Sequence, residues 1–185
     1  DLARPNYVFT GTMDYPPNAD AVVWFATEIL PLIRRMLPGA RFHIVGSNPN
    51  QEVLRLARLD GVFVTGRVPD VRPYIAHATA SVAPMRIARG IQNKVLEAMA
   101  MARPVVLTSA ALEGIAADPA AEVIVADTAE AFAAACRQMA STTAGATIGA
   151  AARRRIVRSY DWDVTLRRFD DILSPAPASH LAETA

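Results

Sequence analysis

Two hydrophobic periods alternate along the chain. Short apolar runs recur at YVFTG (Tyr7–Gly11), RFHIVG (Arg41–Gly46), VFVTG (Val62–Gly66), ASVAP (Ala80–Pro84), Pro104–Thr108 and EVIVA (Glu122–Ala126). Their length, β-branched content and flanking Gly or Pro read as strands. Between them apolar residues fall at steps of three and four, the helical period. In ADAVVWFATEILPLIRRML these are Val22, Phe25, Ala26, Ile29, Leu30 and Ile33. NQEVLRLARL, DVRPYIAHA, Ile91–Met101, AEAFAAACRQMA, ATIGAAARRRIVRSY and DWDVTLRRFDDIL carry the same signal. Pro31 predicts a kink or a break, because an interior proline removes a backbone donor.

The strand runs are continuously apolar rather than alternating, which suits strands buried on both faces. The expected fold class is therefore α/β, a doubly wound, Rossmann-like parallel sheet of about six strands with helices on both faces. Residues 174–185, SPAPASHLAETA, lack periodicity and are expected to form a loose tail.

Composition narrows the function classes. Of 185 residues 52% are hydrophobic and 20% charged, a globular balance that fits one domain. A net charge of +1, from 19 basic and 18 acidic residues, gives no basic excess for nucleic acid. The lone Cys136 excludes an internal disulfide and a cysteine metal cluster. His43, His77 and His180 are not spaced as metal ligands, so no metal is expected. No apolar run approaches the ~18 residues of a membrane span, and no signal-peptide pattern opens the chain, so a cytoplasmic location is expected. The sequence starts almost directly on a strand, at DLARPNYVF, so an upstream part is expected to be missing.

Ligands of open parallel sheets bind beyond the carboxyl ends of the strands. Three runs end at glycine, at Gly11, Gly46 and Gly66. Neither a dinucleotide G-x-G-x-x-G nor a phosphate-loop G-x-x-x-x-G-K-[ST] is present. Asp161 reads as a helix cap rather than as half of a carboxylate pair with Asp163. The best candidate is RGIQNKVLEAMAMARPVV. A helix starting near Gly90 or Ile91 would aim free N–H groups at the strand ends, a ready anion site. Arg86 and Arg89 precede it, Lys94 lies about one turn in, and Glu97 follows on the same face. A lysine near a helix N-terminus opposes the dipole, and a pyrophosphate would resolve the conflict. A carboxylate one turn deeper could accept ribose hydroxyls. The alternative is a surface Lys–Glu pair worth only about tenths of a kcal/mol.

KVLEAMAMARPVV resembles the signature of the nucleotide-sugar half of group 1, family-four retaining GT-B glycosyltransferases. FTGTMDYPPNADAVVWFATEILPLI, RFHIVGSNP, VTGRVPDVRPYIAHATASVAPM and RRRIVRSYDWDVTLRRFDDIL resemble, in order, the family's first strand and helix, second strand, base-binding segment and closing helices. The likeness runs from Tyr7 to Leu173, and GIQNKVLEAMA resembles a variant of bacterial exopolysaccharide-type sugar transferases.

The resemblance implies a donor-nucleotide domain over 1–173, with the acceptor-binding N-terminal domain outside this chain. Glu97 matches the second Glu of the family's Glu-x7-Glu motif, which holds the donor ribose. The first Glu falls at Arg89, so a contact to the donor hexose is replaced by a cation. Lys94 matches a lysine that reaches the diphosphate, helped by the backbone of Gly90, Ile91 and Gln92. Arg67 and Val68 take the place that meets the base, and Gly11 and Thr12 face the diphosphate. Lys94 and Arg89 are thus the catalytic candidates. The implied donor is a UDP- or GDP-type sugar used without a metal, and the implied acceptor a sugar or lipid-linked glycan held by the missing domain. That domain would also carry any peripheral contact with the inner face of a membrane. The implied alternatives are a GT-B-shaped UDP-sugar epimerase and a non-catalytic nucleotide-binding or assembly module.

Overall fold

The computed structural model describes residues 5–162 together with Leu166 and Leu173. Six parallel strands form one sheet: β1 (Asn6–Thr10), β2 (Arg41–Val45), β3 (Val62–Gly66), β4 (Ala80–Ala83), β5 (Val105–Leu107) and β6 (Ile124–Val125). Their order is β3-β2-β1-β4-β5-β6. The chain moves outward from β1 to β3, then returns to start again at β4 on the other side of β1. That reversal makes the crevice between β1 and β4 the topological switch point. The α/β doubly wound expectation holds. Strands β4 and β5 are buried along their length, and β1 is buried from Tyr7 to Thr10, as the apolar runs required. Strand β2 departs from this by alternating, with Arg41 and His43 half-buried, and so does the edge strand β3, where Phe63 is exposed.

The helices are α1 (Pro16–Trp24), α2 (Leu30–Met36), α3 (Gln51–Leu56), α4 (Arg72–Ala76), α5 (Asn93–Ala100), α6 (Ser109–Leu112), α7 (Ala129–Met139) and α8 (Thr142–Ser159). The Asn50 side chain caps α3 by accepting from the Val53 N–H, and Thr128 caps α7 by accepting from Ala131. The core centres on Phe25, whose ring lies 4.3 Å from Phe42, with Tyr7 at 6.2 Å and Phe132 at 6.0 Å, centroid to centroid. All four side chains are fully buried.

The structure refines the sequence reading at four places. At Pro31 the expected kink or break is an irregular turn, and the helix continues through it. A π-helical turn over Phe25–Ile29 joins α1 to α2, with the Leu30 N–H reaching back to the Phe25 carbonyl. The wider turn occurs where Pro31 lacks an N–H and its ring would crowd the carbonyl four residues back. The helix expected from Gly90 or Ile91 starts at Asn93, because Gln92 is extended (φ −88°, ψ 95°). EVIVA contracts to the two-residue β6, at the sheet edge where, among the described residues, one flank has no partner strand. The short α6 escaped sequence reading because four residues are too few to show a period. The helix expected in DWDVTLRRFDDIL and the loose tail lie largely outside the described residues.

Candidate functional site

A cavity of about 640 Å³ opens at the carboxyl edge of the sheet. Four loops converge on it. Thr10 ends β1 and is followed by Gly11 and Thr12, Val45 ends β2 and is followed by Gly46 and Ser47, and Arg67, Val68 and Val71 come after β3. Asn93, Lys94 and Glu97 come from α5, beyond β4. The loops after β1 and β2 are tied together by backbone bonds from the Gly11 N–H to Val45 O (3.1 Å) and from the Met13 N–H to Ser47 O (2.8 Å). Their approach is close. A Cβ on Gly46, whose φ is +151°, would sit 1.7 Å from the Gly11 carbonyl oxygen.

Lys94 is the second residue of α5, where the helix dipole is positive. Its ammonium is held from three sides. Nζ donates to Asn18 Oδ1 at 3.0 Å and to Gln92 Oε1 at 3.2 Å, and lies 4.9 Å from the centre of the Phe9 ring. None of these groups is an anion. Burial pushes the lysine pKa down to about 8, with the Glu97 charge pulling it partly back. Burial holds the Glu97 carboxyl above the usual carboxylate range, with Lys94 opposing. The arrangement is a cation partly desolvated at a helix start, a carboxylate one turn along, and a cavity in front of both. Chemically it suits an oxyanion that reaches the ammonium and hydroxyls that reach the carboxylate.

The structure gathers six of the ten sequence-derived candidates on the cavity wall: Gly11, Thr12, Arg67, Val68, Lys94 and Glu97. Gln92 stands behind them as a Lys94 partner, its Nε2 donating to the Gly90 carbonyl at 3.2 Å. Because the helix begins late, Gly90 and Ile91 precede it, and the first helical N–H groups belong to Asn93 and Lys94. Ile91 and Arg89 are exposed and do not line the cavity. Arg86 turns away from it to pair with Asp20, lying over Trp24 at 5.6 Å. Sequence reading missed Asn18 and Asn93. Asn18 carried no sequence signal beyond a polar residue near a helix start; its burial, 5% exposed, is visible only in the structure. Among the described residues, no group of three or more His, Cys, Asp or Glu is placed to hold a metal ion, and no helix is long and apolar enough to cross a membrane.

A second cavity, of about 540 Å³, lies at the opposite edge, where the strands begin. Asn6, Arg41, Thr79 and Arg103 line it. It has neither a carboxylate nor converging strand-end loops, so the chemistry points to the carboxyl edge.

Sheet order and cavity position together define a doubly wound, Rossmann-like domain with a cavity at the carboxyl edge of its sheet. The chain belongs to the family of glycosyl transferases group 1, whose model matches residues 4–142. Its fold matches domains of GT-B glycosyltransferases. Anabaena HepE, solved with UDP and glucose, is 14% identical with a TM-score of 0.74, over 94% of this chain and 49% of that one. S. aureus TarM, in a complex that includes UDP, is 17% identical with a TM-score of 0.76, over 94% and 36%. Sucrose-phosphate synthase of Thermosynechococcus elongatus is 19% identical with a TM-score of 0.71, over 93% and 45%. At these identities the likeness is one of fold, and the chain spans half or less of each structure. No curated protein matches the sequence.

Proposed function

We propose that the protein binds a nucleoside diphosphate sugar and serves retaining transfer of its sugar to an acceptor hydroxyl. The observation that carries this is the joint placement of Lys94 and Glu97 on the cavity at the switch point. HepE and TarM, which share the fold, were solved with UDP. In this reading Lys94 and the N–H groups that open α5 receive the diphosphate. Glu97 accepts the ribose hydroxyls. Gly11 and Thr12 face the diphosphate across the cleft, and Arg67 and Val68 meet the base.

During transfer the bond from the sugar to the diphosphate breaks and charge builds on the leaving oxygen. Lys94 stabilises that charge from a partly desolvated position, where one ionic contact is worth more than in water. A metal is not required in this scheme. The acceptor, a sugar or lipid-linked glycan in polysaccharide or glycoconjugate synthesis of the exopolysaccharide type, is held by a second domain. The reaction is cytoplasmic, at or near the inner face of the membrane. Arg89, exposed and outside the cavity, reaches the sugar only if its loop closes over bound donor.

Calorimetric titration of the purified protein with UDP, GDP and ADP tests the reading, repeated with Lys94→Ala and Glu97→Ala. One nucleotide should bind, and both substitutions should weaken it. If neither weakens any nucleotide, the site is misplaced. The position of Arg89 favours one other reading, a nucleotide-binding module without turnover. Release of free nucleoside diphosphate from a donor sugar by the protein joined to its acceptor domain separates the two.

A further inference from the structure

We propose that Asn18 is a positioning residue that couples the loop after β1 to the Lys94 ammonium and so sets where the donor diphosphate is held. The inference rests on the reading that Lys94 receives that diphosphate.

Asn18 sits in the first turn of α1, 5% exposed. Its two polar ends are both used, in opposite directions. Nδ2 donates to the Thr12 carbonyl at 2.9 Å, and Oδ1 accepts from Lys94 Nζ at 3.0 Å. One planar amide therefore fixes the distance between the backbone of the β1 loop and the ammonium on α5, across 76 residues of chain. Gly11 makes room for it, since a Cβ there would stand 2.8 Å from Nδ2. A neutral partner is the consequential choice. A carboxylate at this position would occupy the ammonium with a full ion pair, whereas an amide oxygen orients it and leaves its charge for an incoming anion. The Phe9 ring below Lys94 has the same character, attractive yet uncharged.

The charged groups around this amide are few. Glu97 lies on the same helix as Lys94, Arg67 lines the facing wall, and Asp20 on α1 is already paired with Arg86. A change in the Lys94 titration after substitution of Asn18 therefore reports on their mutual contact.

The test is a double-mutant cycle with UDP and with inorganic pyrophosphate, read by calorimetry from about pH 6.5 to about 9.5, a span that brackets the Lys94 value of about 8 and stops short of the usual lysine value. Asn18→Leu should weaken both ligands about 10-fold with Lys94 present and less than about twofold in the Lys94→Ala background. Equal losses in the two backgrounds would overturn the proposal. Asn18→Asp, nearly isosteric, keeps an acceptor on the ammonium, loses the donor to the Thr12 carbonyl, and should move the pH midpoint of pyrophosphate binding upward, while Asn18→Leu moves it down. A midpoint that stays put in the Asp variant also overturns it, and that variant decides the matter if the Leu variant does not fold. Lys94→Ala binding UDP as tightly as the parent protein overturns the diphosphate reading itself, an outcome distinct from additive losses.

Discussion

The two edges of the sheet make a controlled comparison within one molecule. Both carry a cavity of similar size, about 640 and 540 Å³, and both present cations. At the carboxyl edge the polar groups answer one another: Lys94 meets Asn18 and Gln92, and Asn18 meets Thr12. At the opposite edge the Asn6 Oδ1 and Arg103 Nε atoms are buried with no hydrogen-bond partner. The carboxyl edge is preorganised, with its cation aimed before any ligand arrives, and preorganisation rather than volume is what lets electrostatics work on a ligand. The difference follows from topology. Loops that leave the strands at this edge come from both halves of a doubly wound sheet, and they converge only at the switch point.

The sharpest way to break the comparison is Gly46→Ala. The added Cβ would meet the Gly11 carbonyl oxygen at a φ that L side chains rarely adopt, so the contact between the two loops must open. A loss of several kcal/mol, about 3 or more, is expected in chemical denaturation, with nucleotide binding lost alongside. Next in size, Lys94→Ala should reduce nucleoside diphosphate affinity about 10- to 100-fold, the scale of a charge-assisted hydrogen bond. Arg103→Ala, which removes a cation from the other edge, should leave that affinity within about twofold; equal effects would erase the distinction between the edges.

The pH dependence is a smaller and more specific effect. With its pKa lowered to about 8, Lys94 holds its proton less tightly in the folded chain than in the unfolded one. The unfolded state therefore binds more protons between about pH 8 and the usual lysine value near 10.4, and this residue makes stability rise with pH across that window. Diphosphate affinity should move the other way, falling as pH climbs through about 8. Binding near that pH should take up protons, seen as a dependence of the calorimetric heat on buffer ionisation. The smallest expected change is Ala102→Gly. Ala102 is exposed and left-handed at φ +55°. Relief of about 1–2 kcal/mol of backbone strain, less about 0.5–1 kcal/mol of glycine entropy, should raise stability slightly without touching ligand binding.

Much of this was legible in the sequence because it is local. Continuous apolar runs marked buried parallel strands, and the three- and four-residue steps marked the helices between them. The KVLEAMA segment with its lysine and glutamate marked the helix that faces the cavity. Pro31 did mark an irregular place in its helix, whereas the start of α5 misled, because an extended Gln92 delays it.

What the sequence determined by itself is the fold class and the helix face that carries Lys94 and Glu97, since these depend on period and spacing along the chain, and the family, through the likeness of its segments to a known signature. Only the tertiary structure decided which residues meet. It moved Arg89 out of the cavity, bound Arg86 to Asp20, and brought Asn18 to Lys94. Such contacts join residues tens of positions apart, and no periodicity encodes them. They are set by how the two halves of the sheet close around β1 and β4.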